Sequence, residues 1–255
     1  MTAILNEVTQ AKSVIETGRL GKKPSSTLFL LGKYYRQKEQ LDTQHTIQKL
    51  NTFMQQNDKN YNPALWENMI ETISDKAAAY PLREIDRIDI TQSELDHIET
   101  LRNLKYQTLL FTMLCFSKLY NTVSEKNNGW VNISIPELYR TARVTVKYRN
   151  DKFLYLNDIE KSGLISFAKK NDNLNLKINF ADMHGESVLK INDFRELGYE
   201  YLNYTGNGTF VRCSDCNRLI RQTGKNTHYC ADCKQERRLE AKRNWWAKNR
   251  HKLTD

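Results

Sequence analysis

Only four of the 255 residues are proline, ten are glycine and five are histidine. So little proline, beside 39% apolar and 27% charged residues, excludes a disordered or low-complexity chain. There is no glycine-rich loop to cradle phosphates, no histidine cluster, no paired-carboxylate site and no nucleophile motif. Dispersed acids such as Glu67, Glu71 and Asp75 follow a solvated helix face. Long apolar runs are also missing. The longest, "LLFTMLCF", is far short of the roughly 20 residues needed to cross a bilayer. No basic-then-apolar pattern of a secretory signal opens the chain. We therefore expect a non-enzymatic, cytoplasmic protein of one to three small domains, with no membrane partner.

What is present is basic charge, unevenly placed. The formal net charge is +9. From Arg212 to Asp255 twelve basic and five acidic residues give +7, which leaves +2 for the first 211 residues. A nearly neutral body that carries a cationic C-terminal module implies a polyanionic partner, nucleic acid before membrane surface.

That module also holds four of the five cysteines, as the pairs Cys213/Cys216 and Cys230/Cys233 with 13 residues between them. Two Cys-x-x-Cys turns across a short loop match the needs of tetrahedral Zn²⁺. The intervening "NRLIRQTGKNTHY" carries Thr-Gly-Lys-Asn, suited to a hairpin turn. Disulfides are the competing reading, and the lack of a secretion signal argues against them. A Cys₄ site has no open position for water or substrate, so the zinc would be structural. Arg212, Arg218 and Lys234 lie close enough in sequence to offset its charge. His228 is expected at the surface of the hairpin. The last pair leads into "KQERRLEAKRNWWAKNRHK", free of Gly and Pro and therefore helical. Knuckle, hairpin and basic helix resemble a treble-clef or zinc-ribbon finger. The predicted nucleic-acid contacts on this helix are Arg237, Arg238, Lys242, Arg243, Trp245, Lys248 and Arg250. Leu239 and Trp246 mark its one apolar edge. Trp245 points elsewhere, to stack on a base or to pack on the finger. A nuclease of the HNH type needs a histidine base and further ligands, and the module offers only His228 and His251.

In the centre, "TQSE" is a capping box that opens a helix over 91–121, interrupted near Arg102–Lys105 and apolar nearly all round. Cys115 falls there as a buried thiol. A short strand at Trp130–Ile133 precedes a second capping box, Ser134 to Glu137 with Pro136 in the first turn. A further helix puts Phe153, Leu156 and Ile159 on its inner side and ends at Gly163. Two strands then flank the turn "KKNDN", with Leu174, Leu176, Ile178 and Phe180 alternating in the second. Helix, strand, helix, helix and hairpin resemble a winged helix-turn-helix in element order. That resemblance implies Lys147, Arg149, Asn150 and Lys152 at base edges and Arg140 and Arg143 on phosphates. Lys169, Lys170, Asn171 and Asn173 would form the tip of the wing.

Residues 24–80 read as three short helices, the third with Asn62 as cap, Pro63 at its first position and Pro81 beyond its end. Its stripe is Trp66, Met69, Ile70, Ile73 and Ala77. "SVLKINDFRELGYEYLNYTGNG" reads as a strand, an aromatic helix and a glycine break, with Tyr199, Tyr201 and Tyr204 placed to dock the finger.

The fold class expected is mostly α with some β (α+β). Its divisions are a helical region at 1–90, a winged-helix-like domain at 91–185, a linker strand and helix at 186–208 and a Cys₄ finger at 209–255. "TLFLLGKYYRQ", "ITQSELDHIETL", "DFRELGYEYLNY" and "YCADC" with its basic helix make the chain similar to proteins encoded by phages and mobile elements of Gram-positive bacteria. The resemblance implies a bacterial or phage-infected cytoplasm and a replication or regulatory setting. The function expected is binding of nucleic acid, DNA before RNA. The alternative is a protein-interaction factor, such as a replication adaptor or a phage inhibitor of a host defence complex.

Overall fold

The computed structural model describes residues 4–21, 23–168 and 175–249. The chain is mostly helical, with three small sheets among the described residues, and it divides into a unit of residues 4–87 and a second that begins at Ile88.

The first unit is four helices: α1 (Glu7–Thr17), α2 (Pro24–Gln37), α3 (Thr43–Asn57) and α4 (Pro63–Ala79). Local chemistry starts them. Asn6 Oδ1 accepts from Thr9 N at 2.9 Å, Asp42 Oδ1 from His45 N at 2.8 Å and Asn62 Oδ1 from Ala64 N at 3.1 Å. Leu28, Leu31, Leu50, Met54 and Ile70 lie fully buried between the helices. The stripe on α4 is narrower than its sequence implies: Ile70, Ile73 and Ala77 are buried, and Met69 is exposed. Helix α1 has no counterpart in the sequence reading. It contributes Ala11 and Val14 to the core, and its Glu7 forms a buried ion pair with Lys33. Glu7 Oε2 also accepts from Arg83 N at 2.9 Å, so no charge there is left without a partner.

The second unit opens with β1 (Ile88–Thr91), α5 (Gln92–Glu99) and α6 (Leu104–Val123). Thr91 and Glu94 close the capping box in both directions. The chain breaks between these helices, and Asn103 caps the second by accepting from Lys105 N at 2.9 Å. Helix α6 is buried without a gap from Thr108 to Leu119, Cys115 included, as its all-round apolarity requires. Then follow β2 (Trp130–Asn132), α7 (Ile135–Thr141), α8 (Asp151–Lys161), β3 (Ile165–Phe167) and β4 (Asn175–Ile178). These strands form one antiparallel sheet in the order β2-β4-β3, with Val131 opposite Leu176 and Ile165 opposite Ile178. Leu176 and Ile178 are buried, which fixes which face of the hairpin meets α6. Leu174 lies outside the described residues.

Phe153 departs from expectation. Leu156 and Ile159 face the core, and Phe153 is 52% exposed. Three residues before Leu156 and six before Ile159, it falls on the far edge of their arc, and of the residues of α8 only those two are buried. Gly163 ends α8 in the left-handed region, at φ 79°.

Strand β5 (Ser187–Ile191) pairs antiparallel with β1, so residues nearly a hundred apart close the unit. Helix α9 (Leu197–Tyr204) packs on α6, with Tyr201 fully buried and its ring 5.0 Å from that of Phe111. Glycine is required where α9 starts: a Cβ on Gly198 would stand 1.9 Å from the Ala142 carbonyl oxygen. The chain ends in β6 (Phe210–Arg212), β7 (Leu219–Arg221) and α10 (Ala231–Asn249).

Candidate metal centre and cationic surfaces

Strands β6 and β7 pair as a hairpin, with Val211 opposite Ile220, and bring the first cysteine turn against the start of α10. In that turn Asn217 N donates to Cys213 O at 2.9 Å, and Asn217 takes a left-handed φ of 56°. In the second, Lys234 N donates to Cys230 O at 2.9 Å as the first bond of the helix. The Sγ atoms of Cys213, Cys216, Cys230 and Cys233 all lie within 4.8 Å of one another, so these residues can hold a metal ion. All four are free thiols, and the Cys216 and Cys230 sulfurs are 3.7 Å apart, too far for a disulfide bond of about 2.05 Å. His228 stays outside the cluster and exposed.

Backbone N–H groups point into the sulfurs: Cys230 N lies 3.3 Å from Cys213 Sγ, and Cys233 N 3.4 Å from Cys230 Sγ. Burial pushes the Cys213 thiol up, but N–H donors of Cys230, Cys216 and Asp215 outweigh it and bring the group down to about 6. Burial raises Cys216, and burial with the three neighbouring thiols raises Cys233. Thiolates crowded this closely repel unless a cation lies between them.

Few apolar groups hold the module, the buried Leu219 of β7 among them. Its buried cluster is Cys213, Cys230 and Cys233, edged by Cys216, Ile220 and Tyr229. Polar contacts tie it to α9 and the loop before it. Arg195 Nη2 donates to the Cys216 carbonyl at 2.9 Å, Arg212 pairs with Glu200 at 2.9 Å, and Tyr199 meets Phe210 at 5.1 Å between ring centroids. Of the three tyrosines expected to dock the finger, only Tyr199 does so. Tyr201 belongs to the core and Tyr204 is exposed.

Glu196, 3% exposed, joins two regions. It forms a bidentate ion pair with Arg143, just past α7, and lies 3.8 Å from Arg218 of the module. Arg143 also lies over the Tyr199 ring at 5.3 Å. Its guanidinium is thus paired within the chain although the side chain is 40% exposed, and so is that of Arg237, which binds Asp215 through two bonds of 2.6 and 2.7 Å at the surface and covers Tyr229. Both pairings join residues far apart in sequence.

The other expected contact residues are placed as follows. Lys147, Arg149 and Asn150 are exposed in the loop and cap leading into α8. Lys152 is half-buried over the Tyr139 ring, at 5.3 Å. Arg140 is on α7, 3.7 Å from Glu137. Lys169, Lys170, Asn171, Asn173 and Arg250 lie outside the described residues. On α10, Arg238, Lys242, Arg243, Trp245 and Lys248 are all exposed. Helical spacing separates the charges there. Asp232, Glu236 and Glu240 fall four apart on one stripe, with Arg243 among them. Lys234, Arg238 and Lys242 form a second four-residue row on the opposite side, and Trp245 follows Lys242 by three positions. Trp245 and Trp246 are 54% and 48% exposed and touch each other edge to face. Leu239 is equally open.

A groove of about 640 Å³ lies at the end of α6 beside β2, lined by Tyr120, Val123, Trp130, Val131, Ala168 and Asn175 among others. Its described lining includes no carboxylate, histidine or cysteine. Among the described residues no helix is long and apolar enough to cross a membrane. Comparison with models of known families, with curated proteins and with solved structures found no match to this chain.

Proposed function

We propose that this chain is a non-enzymatic nucleic-acid-binding protein, with duplex DNA as its preferred partner, and that a structural zinc anchors the helix that grips the phosphates. The observation that carries the reading is the Cys₄ cluster at the root of α10, whose acid-free row of Lys234, Arg238 and Lys242 is exposed. Zinc suits the site by size and by chemistry. Four Zn–S bonds of about 2.3 Å define a tetrahedron with edges of about 3.8 Å, close to the 3.7 Å between the Cys216 and Cys230 sulfurs. Soft thiolates select zinc among the common divalent ions. Closed by four sulfurs, the ion would shape the finger and take no part in chemistry.

The first helices and sheet of the second unit support the same reading. Helix, strand, two helices and a hairpin, with β4 central in the sheet, agree in order with what a winged helix-turn-helix would need. In such a domain α8 would enter the major groove, with Lys147 and Arg149 at its N-terminal end beside the base edges. Arg143 and Arg237 are each paired with a carboxylate of this chain, and those pairings would compete with phosphate. Replication or regulation in a phage or mobile element is the setting that the sequence resemblance favours.

Replacing Arg238 and Lys242 together by alanine tests the helix. Both side chains are exposed, so metal content and helicity are expected to stay unchanged. The salt dependence of duplex binding is expected to fall by about 0.9 in log–log slope for each phosphate that is no longer neutralised. An unchanged slope, measured by fluorescence anisotropy, would remove α10 from the interface.

A further inference from the structure

The outward face of α8 consists of Asn150, Phe153, Leu154 and Asn157, at spacings of three, four and seven residues, all exposed. Phe153 and Leu154 leave 52% and 57% of their surfaces open to solvent, on a helix whose other side is packed through Leu156 and Ile159. Two large apolar groups flanked by two amides are an unusual solvent face. The pattern matches one set of base edges. An Asn amide can bond adenine N6 and N7 together, and an apolar side chain can cover the thymine methyl. The groups that read G·C pairs are missing from the centre of this face. Asp151 accepts from Tyr148 N at 3.1 Å, and Asp158 is held by Lys161 at 2.9 Å and by the Tyr106 hydroxyl at 3.0 Å. Both carboxylates are engaged within the chain, and neither belongs to the row of Asn150, Phe153, Leu154 and Asn157. Lys147 and Arg149 stand exposed at the N-terminal edge of the face, the end of a recognition helix that meets base edges, so a guanine contact would be confined to that edge.

We infer that α8 reads A·T pairs in the major groove, with Asn150 and Asn157 bonding adenines and Phe153 and Leu154 covering thymine methyls. The inference rests on the proposed duplex binding and adds a base preference to it. Asn157 has no part in the sequence reading. Its exposure on the same face as Asn150 becomes visible only once α8 is seated on its core.

The test uses the full zinc-loaded chain and pools of duplex DNA randomised over a central window, with selection by binding and sequencing of the bound fraction. Enrichment of A·T pairs is expected. Asn157→Ala is expected to relax it at one or two positions, by about tenfold in relative affinity for each bidentate pair removed. The salt slope should stay the same, because Asn157 meets no phosphate. Phe153→Ser probes the thymine contact in the same way. Equal binding of A·T-rich and G·C-rich duplexes overturns the base reading and leaves backbone binding intact. So does a preference that Asn157→Ala and Phe153→Ser both leave unchanged. A change in oligomeric state with Phe153→Ser and none in base preference also overturns it, and assigns the face to a protein contact. No binding to any duplex defeats the base reading and the proposed function together.

Discussion

Cys233→Ser is expected to abolish the single equivalent of bound zinc and to unfold the C-terminal module while the rest of the chain stays folded. The reason is the size of what zinc replaces. Hairpin and helix start share a buried cluster made of three cysteines, with Cys216, Ile220 and Tyr229 at its edge, and so small a core cannot order a module of this length. Zinc bound by four thiolates supplies about 10–16 kcal/mol in finger peptides near neutral pH, far above anything the surface ion pairs contribute. Helix α10 is 19 residues long and, apart from Cys233 and the terminal Asn249, exposed along its described length. A helix so little packed draws almost no stability from tertiary contacts, so a metal that fixed its first turn would be its main support. Metal analysis should give one zinc per native chain, none firmly held in Cys233→Ser, and a full equivalent in Cys115→Ala. Cys115 is buried in α6 and is not part of the cysteine cluster. Loss of far-UV helicity should follow the metal on chelation. A Cys233→Ser protein that kept its zinc and its helicity would contradict the assignment.

Lys118→Met is expected to destabilise the second unit by about 3–5 kcal/mol, the range for a buried charge that loses its partner. Lys118 and Glu94 have side chains 4% and 0% exposed. The ammonium bonds both carboxylate oxygens, at 2.9 and 2.8 Å, and the Asp182 carbonyl. Glu94 also accepts from Thr91 N and Asp182 N, each at 2.8 Å. One ion pair thus pins α5, α6 and the segment after β4. With methionine at 118 the carboxylate remains buried beside two N–H donors and no cation. Adding Glu94→Gln removes that charge, so the double variant should unfold at higher urea than Lys118→Met alone. Additive losses in the double variant would show that the pair acts as two separate side chains.

What could be seen in the sequence was local chemistry. Thr91 and Glu94, Asn62 and Pro63, and Gly163 mark helix ends through contacts a few residues away, and these ends fall where those residues stand. The four cysteines were legible for the same reason: ligand spacing is a property of two short turns. What escaped was long-range pairing. A capping-box glutamate reads as a surface group, and only the fold reveals Lys118 beside it. Arg143 and Arg237 read as open cations until Glu196 and Asp215, 53 and 22 residues away, come against them. Helix α1 was missed because its stripe is thin, two buried apolar residues and a buried glutamate. Phe153 was assigned inward on period alone. On the helix Phe153 lies about 120° from Ile159, outside the arc that Leu156 and Ile159 bury.

Fluorescence anisotropy of the full, zinc-loaded chain with random duplex DNA, single-stranded DNA and RNA, at about 50 and 200 mM salt, bears on these proposals together. Duplex DNA should bind most tightly, and its affinity should fall by about 10³ or more between the two salts if six or more phosphates are held. A correctly folded, metal-loaded protein that binds none of the three would contradict nucleic-acid binding and leave the exposed faces of α8 and α10 to a protein partner.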